Sequence, residues 1–295
     1  MNLQNQSNRR IIRNLVIFTI FVLAIGWIGW GLDLLMGTPL ASEGLGILLW
    51  IASPLVLSLL LRTFAGDGWQ DFGIKPNFKG NVSWYVVALL VYPVATAFIL
   101  GIGRGFGLIT FPNPSLGALG MFFLVFALAF PRNIIKNFFE EVAWRGYLAP
   151  KVYSLGLNDY VGHLIVGLVW GAWHIPYYLY YLDRAVLQDF TTLNLAMYIP
   201  LAILVGISWA FVYGELYLLT NSIWPAVLMH TVEDALLFTL VLDGHIQILP
   251  GTDWLISPMN GLICVIFFLG IGIGLRQLRI RRIQLLDKAP LVAPV

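Results

Sequence analysis

Glu140 and Glu141 stand side by side in the run Phe138-Phe139-Glu140-Glu141-Val142-Ala143-Trp144-Arg145, inside a stretch apolar enough to face lipid. An ionised side chain near the middle of a bilayer costs about 2.5–3.5 kcal/mol on insertion scales, so it needs a partner or a wet cavity and marks a functional site by default. On a helix, Glu141 and Arg145 fall one turn apart and can pair, whereas Glu140 points about 100° away. Glu140 is therefore the carboxylate left free for chemistry.

Two further segments break the apolar pattern. In Trp170-Gly171-Ala172-Trp173-His174-Ile175-Pro176 a histidine follows an aromatic by one turn, and the proline frees a nearby carbonyl. In Trp224-Pro225-Ala226-Val227-Leu228-Met229-His230-Thr231-Val232-Glu233-Asp234 a proline opens the helix and His230 and Asp234 share one face at i, i+4. Glu233 can pair within this group or face another helix and stays outside the catalytic set. Charged and unpaired at depth, Glu140, Glu141, Arg145, His174, His230, Glu233 and Asp234 would together cost on the order of 20 kcal/mol. They must be paired, neutralised or gathered round water, and a glutamate gathered with two histidines is a chemical site. Desolvation makes a carboxylate a stronger base, and general-base assistance is worth about 10²–10⁴-fold in rate. A donor aimed at a developing oxyanion adds about 2.7–4 kcal/mol, which His230 is able to supply.

The elements that must position these groups are membrane helices. The 295 residues are 59% hydrophobic and only 11% charged, against about 25% charged in soluble domains. The expected fold is all-α and polytopic, with about eight transmembrane helices enclosing a polar cavity open to the cytoplasm. It forms a single integral-membrane domain over 1–295 with a catalytic core region at 132–240. Apolar runs long enough to cross about 30 Å of hydrocarbon fall near 11–36, 44–64, 83–103, 115–131, 158–181, 192–213, 221–242 and 259–278. The first reads as a retained span, not a cleaved signal. A helical segment at 132–153 carries the paired glutamates after a break at Pro131.

Fifteen of the 17 Lys and Arg residues fall on one side of this arrangement, in the N-tail, the 62–79 loop, the 132–151 segment and the C-tail. Only Arg104 and Arg184 are left for the other side, so both termini are expected in the cytoplasm. Residues 65–80 read as a surface loop with Trp69 and Phe72 at the headgroup layer. His163 and His245 read as interfacial, and Glu215 as lying at the cytoplasmic boundary. The single cysteine, Cys264, excludes a disulfide framework or a cysteine metal site within one chain.

Three intramembrane proteolytic schemes lack their residues. There is no His-Glu-x-x-His zinc motif beside Leu242-Asp243-Gly244, no Gly-x-Gly-Asp run at Phe64-Ala65-Gly66-Asp67, and no Gly-x-Ser-Gly turn around Ser208. The ordered set Glu140-Glu141-x-x-x-Arg145, Trp170-x-x-x-His174 and His230-x-x-x-Asp234 instead resembles the motifs of the CPBP family, the CAAX proteases and bacteriocin-processing enzymes, over about 95 residues. The resemblance implies an intramembrane glutamic endopeptidase. Glu140 would be the base that activates water and His174 would share that water. His230 and Asp234 would stabilise the oxyanion, and Glu141 with Arg145 would hold the first helix in place. Trp170 stands where the family more often has phenylalanine, and Asp234 where asparagine is common. An ionised aspartate cannot donate to an oxyanion, so Asp234 would act protonated or by orienting His230.

The implied partners are a membrane-associated peptide or protein, of the prenylated CAAX type on the family's pattern, and the bilayer, with no nucleic acid. No metal is expected, because no i, i+4 histidine pair is present, although two histidines and two carboxylates have the chemistry to hold zinc. A non-catalytic immunity or scaffold protein and a transporter with a proton relay are the competing readings. Scaffolding gives no reason for a free Glu140 beside two histidines, and the repeated halves of a transporter are not seen.

Overall fold

The computed structural model describes residues 3–38 and 44–288, and about 78% of the chain is helical. The helices in chain order are α1 (Leu3–Leu35), α2 (Leu45–Phe64), α3 (Val82–Gly105), α4 (Leu116–Ala143), α5 (Ala149–Tyr153), α6 (Asp159–Trp173), α7 (Arg184–Phe190), α8 (Leu195–Thr220), α9 (Trp224–Leu242), α10 (Asp253–Ile256) and α11 (Leu262–Lys288). Two short strands, β1 (Ile109–Thr110) and β2 (Gln247–Ile248), pair antiparallel at one end. The protein is an all-α polytopic membrane protein.

Seven helical stretches among the described residues are long and apolar enough to cross a bilayer. The run at 158–181 is the one that the sequence counts as a span and the structure builds differently. Asn158 caps the start of α6 by accepting from the Tyr160 N–H at 2.9 Å, and Pro176 has no N–H with which to continue the ladder. The helix closes after 15 residues and the chain goes on as a π-helical turn, Tyr177–Tyr181. The expected break at Pro131 is absent, and α4 runs through it. The irregularity falls lower, as a π-helical turn at Trp144–Leu148 that joins α4 to α5 without leaving the helix path. Such turns add a residue to the repeat and shift the faces that follow.

Helix α9 is the most enclosed span, 72% of its apolar window being buried, whereas the apolar window of α4 is only 6% buried and faces outward. The lower turns of α4 pack on α9, α6 packs on α8, and α8 packs on α11. The α6–α8 contact depends on Gly167 and Gly171. A Cβ on Gly167 would lie 2.5 Å from the Ile207 Cα, and one on Gly171 would lie 3.1 Å from the Ile203 Cα. This is the small-xxx-small spacing that lets two membrane helices approach closely, and it seats the end of α6, with His174, against the centre of the molecule.

Loop 65–80 folds back onto the lower end of α4. The Arg62 Nε donates to the carbonyl of Gly146 at 2.9 Å, inside the π-helical turn, and Arg62 also pairs with Asp71 at 2.8 Å. Lys151 reaches Asp71 at 2.9 Å, Tyr147 donates to Asp67 at 2.7 Å, and Tyr217 donates to the Asp71 carbonyl at 2.6 Å. Trp69 is exposed as expected, but Phe72 is buried against Val142, Tyr217, Ile223 and Val227. It fills the space that Gly146 leaves open.

Candidate active site

Helices α2, α4, α6, α8 and α9 and the turn after α6 line a cavity of about 310 Å³. Glu140, Trp170, His174, His230 and Asp234 all line it, so the three motifs meet in one place although 94 residues separate the first residue from the last. Glu141 and Arg145 lie fully buried behind the wall. The rest of the lining is largely aromatic, with Trp50, Tyr177, Tyr178, Phe190, Tyr198 and Phe238.

Glu140 Oε2 has no hydrogen-bond partner among the described residues, as the helical geometry anticipates. Its Oε1 lies 3.4 Å from Lys136 Nζ, one turn earlier on the same helix. Glu141 is engaged on two sides. Arg145 Nη1 donates to both of its oxygens, at 3.1 and 3.0 Å, and His230 Nδ1 donates to Oε1 at 2.9 Å. The guanidinium of Arg145 is then held between the faces of Trp170 and Tyr213, each ring centroid 4.3 Å from its carbon. Cation–π contact of this kind offsets part of the cost of burying the cation, whose Nε and Nη2 have no hydrogen-bond acceptor among the described residues. Trp170 does more than bound the cavity, because it carries the cation that fixes Glu141.

The tautomer of His174 follows from its partner. Nδ1 lies 2.9 Å from the Trp170 carbonyl, which can only accept, so Nδ1 carries a proton and Nε2 is left as the acceptor in the neutral ring. His230 is built the same way, with Nδ1–H on Glu141 and Nε2 turned to Glu233 at 3.7 Å. The two imidazoles stand on either side of Trp170, with ring centroids 6.3 Å and 5.7 Å from its own.

Asp234 does not reach His230. Its Oδ2 accepts from Lys136 Nζ at 3.0 Å and from Asn137 Nδ2 at 2.9 Å, both on α4. What orients His230 is Glu141, from a different helix. Glu233, set aside at the sequence level, lies on the cavity wall beside His230 and Asp234, and ligand atoms of these three residues fall within 4.8 Å of one another. Lys136 and Asn137 were also missed. Lys136 counts towards the basic side of the topology in the sequence, but it lines the cavity, and the same count includes the fully buried Arg145. The signal for Lys136 was present in its i, i+4 spacing to Glu140.

His163 and Glu215 are both fully buried inside the protein. His163 Nε2 donates to Glu215 at 2.9 Å and its Nδ1 accepts from Tyr153 at 2.9 Å, while Arg279 of α11 donates to Glu215 at 2.6 Å. The network ties α5, α6, α8 and α11 together below the cavity.

A family model described as type II CAAX prenyl endopeptidase Rce1-like matches residues 122–236. No curated protein gives a significant match to the chain. The matched stretch begins on the outward-facing part of α4 and ends two residues after Asp234, so it contains all three motifs with Lys136, Asn137 and Glu233. Residues 122–236 are thus similar to the Rce1-like CAAX endopeptidases, which agrees with the CPBP family that the three motifs of this chain resemble.

Proposed function

We propose that this membrane protein is an endopeptidase that hydrolyses a peptide bond of a membrane-associated, prenylated CAAX-type substrate, using water activated by Glu140. The observation that carries the reading is a glutamate with one unpartnered oxygen on the wall of a cavity that it shares with two histidines from other helices. Water held between Glu140 and the Nε2 acceptor of His174 gives up a proton to Glu140 as its oxygen attacks the scissile carbonyl carbon. The carbonyl electron pair moves onto oxygen, on the side of the cavity where His230 and Asp234 stand. Collapse of the tetrahedral intermediate re-forms the carbonyl and expels the amine, which takes the proton back from Glu140. Glu141 and Arg145 act through His230, fixing its ring.

The aromatic wall suits an apolar substrate flank, since pockets for such ligands are mostly apolar with a few placed polar groups. We place the catalytic core within 132–240, the cavity's access on the cytoplasmic side, and both termini in the cytoplasm. The basic segments support that orientation: Asp159 binds Arg276 and Arg279, Lys151 binds the 65–80 loop, and Asn77 binds the turn at Thr220, so these segments share one end of the bundle. The mechanism needs no metal, because a lysine ammonium already stands between the carboxylates Glu140 and Asp234.

The test is cleavage of a panel of prenylated and unprenylated peptides by detergent-purified protein and its Glu140→Ala variant, each with and without a zinc chelator. Cutting by the parent, none by the variant and no effect of chelator is the expected result. Cutting by the variant at the parent's rate would remove Glu140 from its role, and chelator-sensitive cutting would overturn the metal-free mechanism.

A further inference from the structure

Asp234 presents a difficulty for the oxyanion side of the site, and the structure contains its answer. An oxyanion needs donors, but Asp234 is an acceptor here, taking one hydrogen bond from Asn137 and one from Lys136. Lys136 has three N–H bonds on Nζ. One meets Asp234 Oδ2 at 3.0 Å, and the ammonium forms a looser ion pair with Glu140 Oε1 at 3.4 Å. At least one N–H is left uncommitted among the described residues, and the side chain, 38% exposed, lies on the cavity wall. We propose that Lys136 is the oxyanion donor of this site, with Asp234 serving as the post that holds it. The proposal rests on the endopeptidase reading above.

Charge bookkeeping across the reaction makes the assignment specific. In the resting site the ammonium is shared by two carboxylates. When Glu140 takes the proton from water it becomes neutral and its hold on Lys136 disappears, while one negative charge appears on the substrate oxygen. The cavity's net charge does not change. Lys136 exchanges a partner it is losing for one that is forming, from a position fixed by Asp234, and so binds the intermediate more strongly than the ground state. Interactions with that difference lower a barrier.

The experiment compares kcat and KM of five variants on a fluorogenic peptide ending in a farnesylated cysteine, two aliphatic residues and serine. Lys136→Met should lower kcat by about 10²–10³-fold with KM within about threefold. This variant leaves Asp234 uncompensated and tends to unfold, so two double variants remove that charge as well. Lys136→Met/Asp234→Leu has neither unpaired charge nor donor and should stay as slow as Lys136→Met. Lys136→Met/Asp234→Asn introduces an amide N–H beside the missing ammonium and should recover at least tenfold in kcat over the leucine variant at equal thermal stability. Recovery of the parental kcat by Lys136→Met/Asp234→Leu would show that Lys136 only neutralises Asp234 and would overturn the proposal. So would a parental kcat for Lys136→Met. The parent and Glu140→Gln separate the two levels: a parent that cuts nothing removes the endopeptidase reading and a Glu140→Gln that cuts like the parent removes the glutamate mechanism, whereas an inactive Glu140→Gln beside a fully active Lys136→Met sinks the Lys136 assignment alone. Lys136→Arg, which keeps charge and donors, should retain more activity than Lys136→Met, and the reverse order would count against it.

Discussion

Glu141 binds Arg145 and His230 at once and is itself wholly buried, so the geometry of the site depends on a residue that does not line the cavity. Removing one member of a buried charge network leaves the others uncompensated, at about 3–5 kcal/mol. Glu141→Ala should therefore lose stability of that order in detergent unfolding, in addition to activity, and a loss under about 1 kcal/mol would contradict the bridging role. The pairing of Glu141 with Arg145, and the absence of Glu140 from it, were legible in the sequence, because both follow from the angular spacing of a helix. The partner of Asp234 was not. Lys136 is one turn from Glu140 but 98 residues from Asp234, and only tertiary packing brings that second carboxylate to it.

At the scale of elements, His174 reaches the cavity because α6 lies unusually close to α8. Gly167→Leu would force the two backbones apart, and a displacement of about 1 Å at a reacting group can cost about 10²-fold in rate. A kcat loss of that size is expected, with Gly101→Leu as the control, since a side chain there meets nothing within 4 Å. An unchanged kcat for Gly167→Leu would show that the close approach does not position His174. The Gly167-x-x-x-Gly171 spacing was readable, whereas the shortness of α6 was hidden by the apolar run that continues beyond Pro176. Loop 65–80 has its own pH signature. Burial pushes the Asp71 carboxyl up, but hydrogen bonds and charge from Arg62 and Lys151 outweigh it and hold the group below its ordinary value of 3.8. A group lowered on folding contributes stability above its unfolded value, and that contribution is lost as pH falls through the lower folded value. Asp71→Asn should flatten the fall in melting temperature between pH 5 and pH 2 relative to the parent. A parallel fall in both would mean that the clamp adds nothing.

At the scale of the whole molecule, composition and span length were enough for the all-α membrane fold, because lipid leaves a chain few ways to satisfy its backbone. The side assignment used fifteen basic residues, two of which, Lys136 and Arg145, prove to belong to the site and its support. The remaining thirteen still favour the same side. With the native Cys264 buried, single cysteines report topology cleanly. Lys79→Cys and Asn113→Cys, both at exposed positions, should react with an impermeant maleimide from the cytoplasmic and the opposite face respectively. The reverse pattern would invert the orientation.

The central claim is that Glu140 activates the water that cuts the substrate. The most direct measurement is the single-turnover rate of Glu140→Gln on the farnesylated peptide, with the peptide's binding measured on the same preparation. Binding within about threefold of the parent is expected, with a rate lower by about 10²–10⁴-fold, the range for loss of a general base. A variant that binds the peptide and cuts it at the parental rate would contradict it.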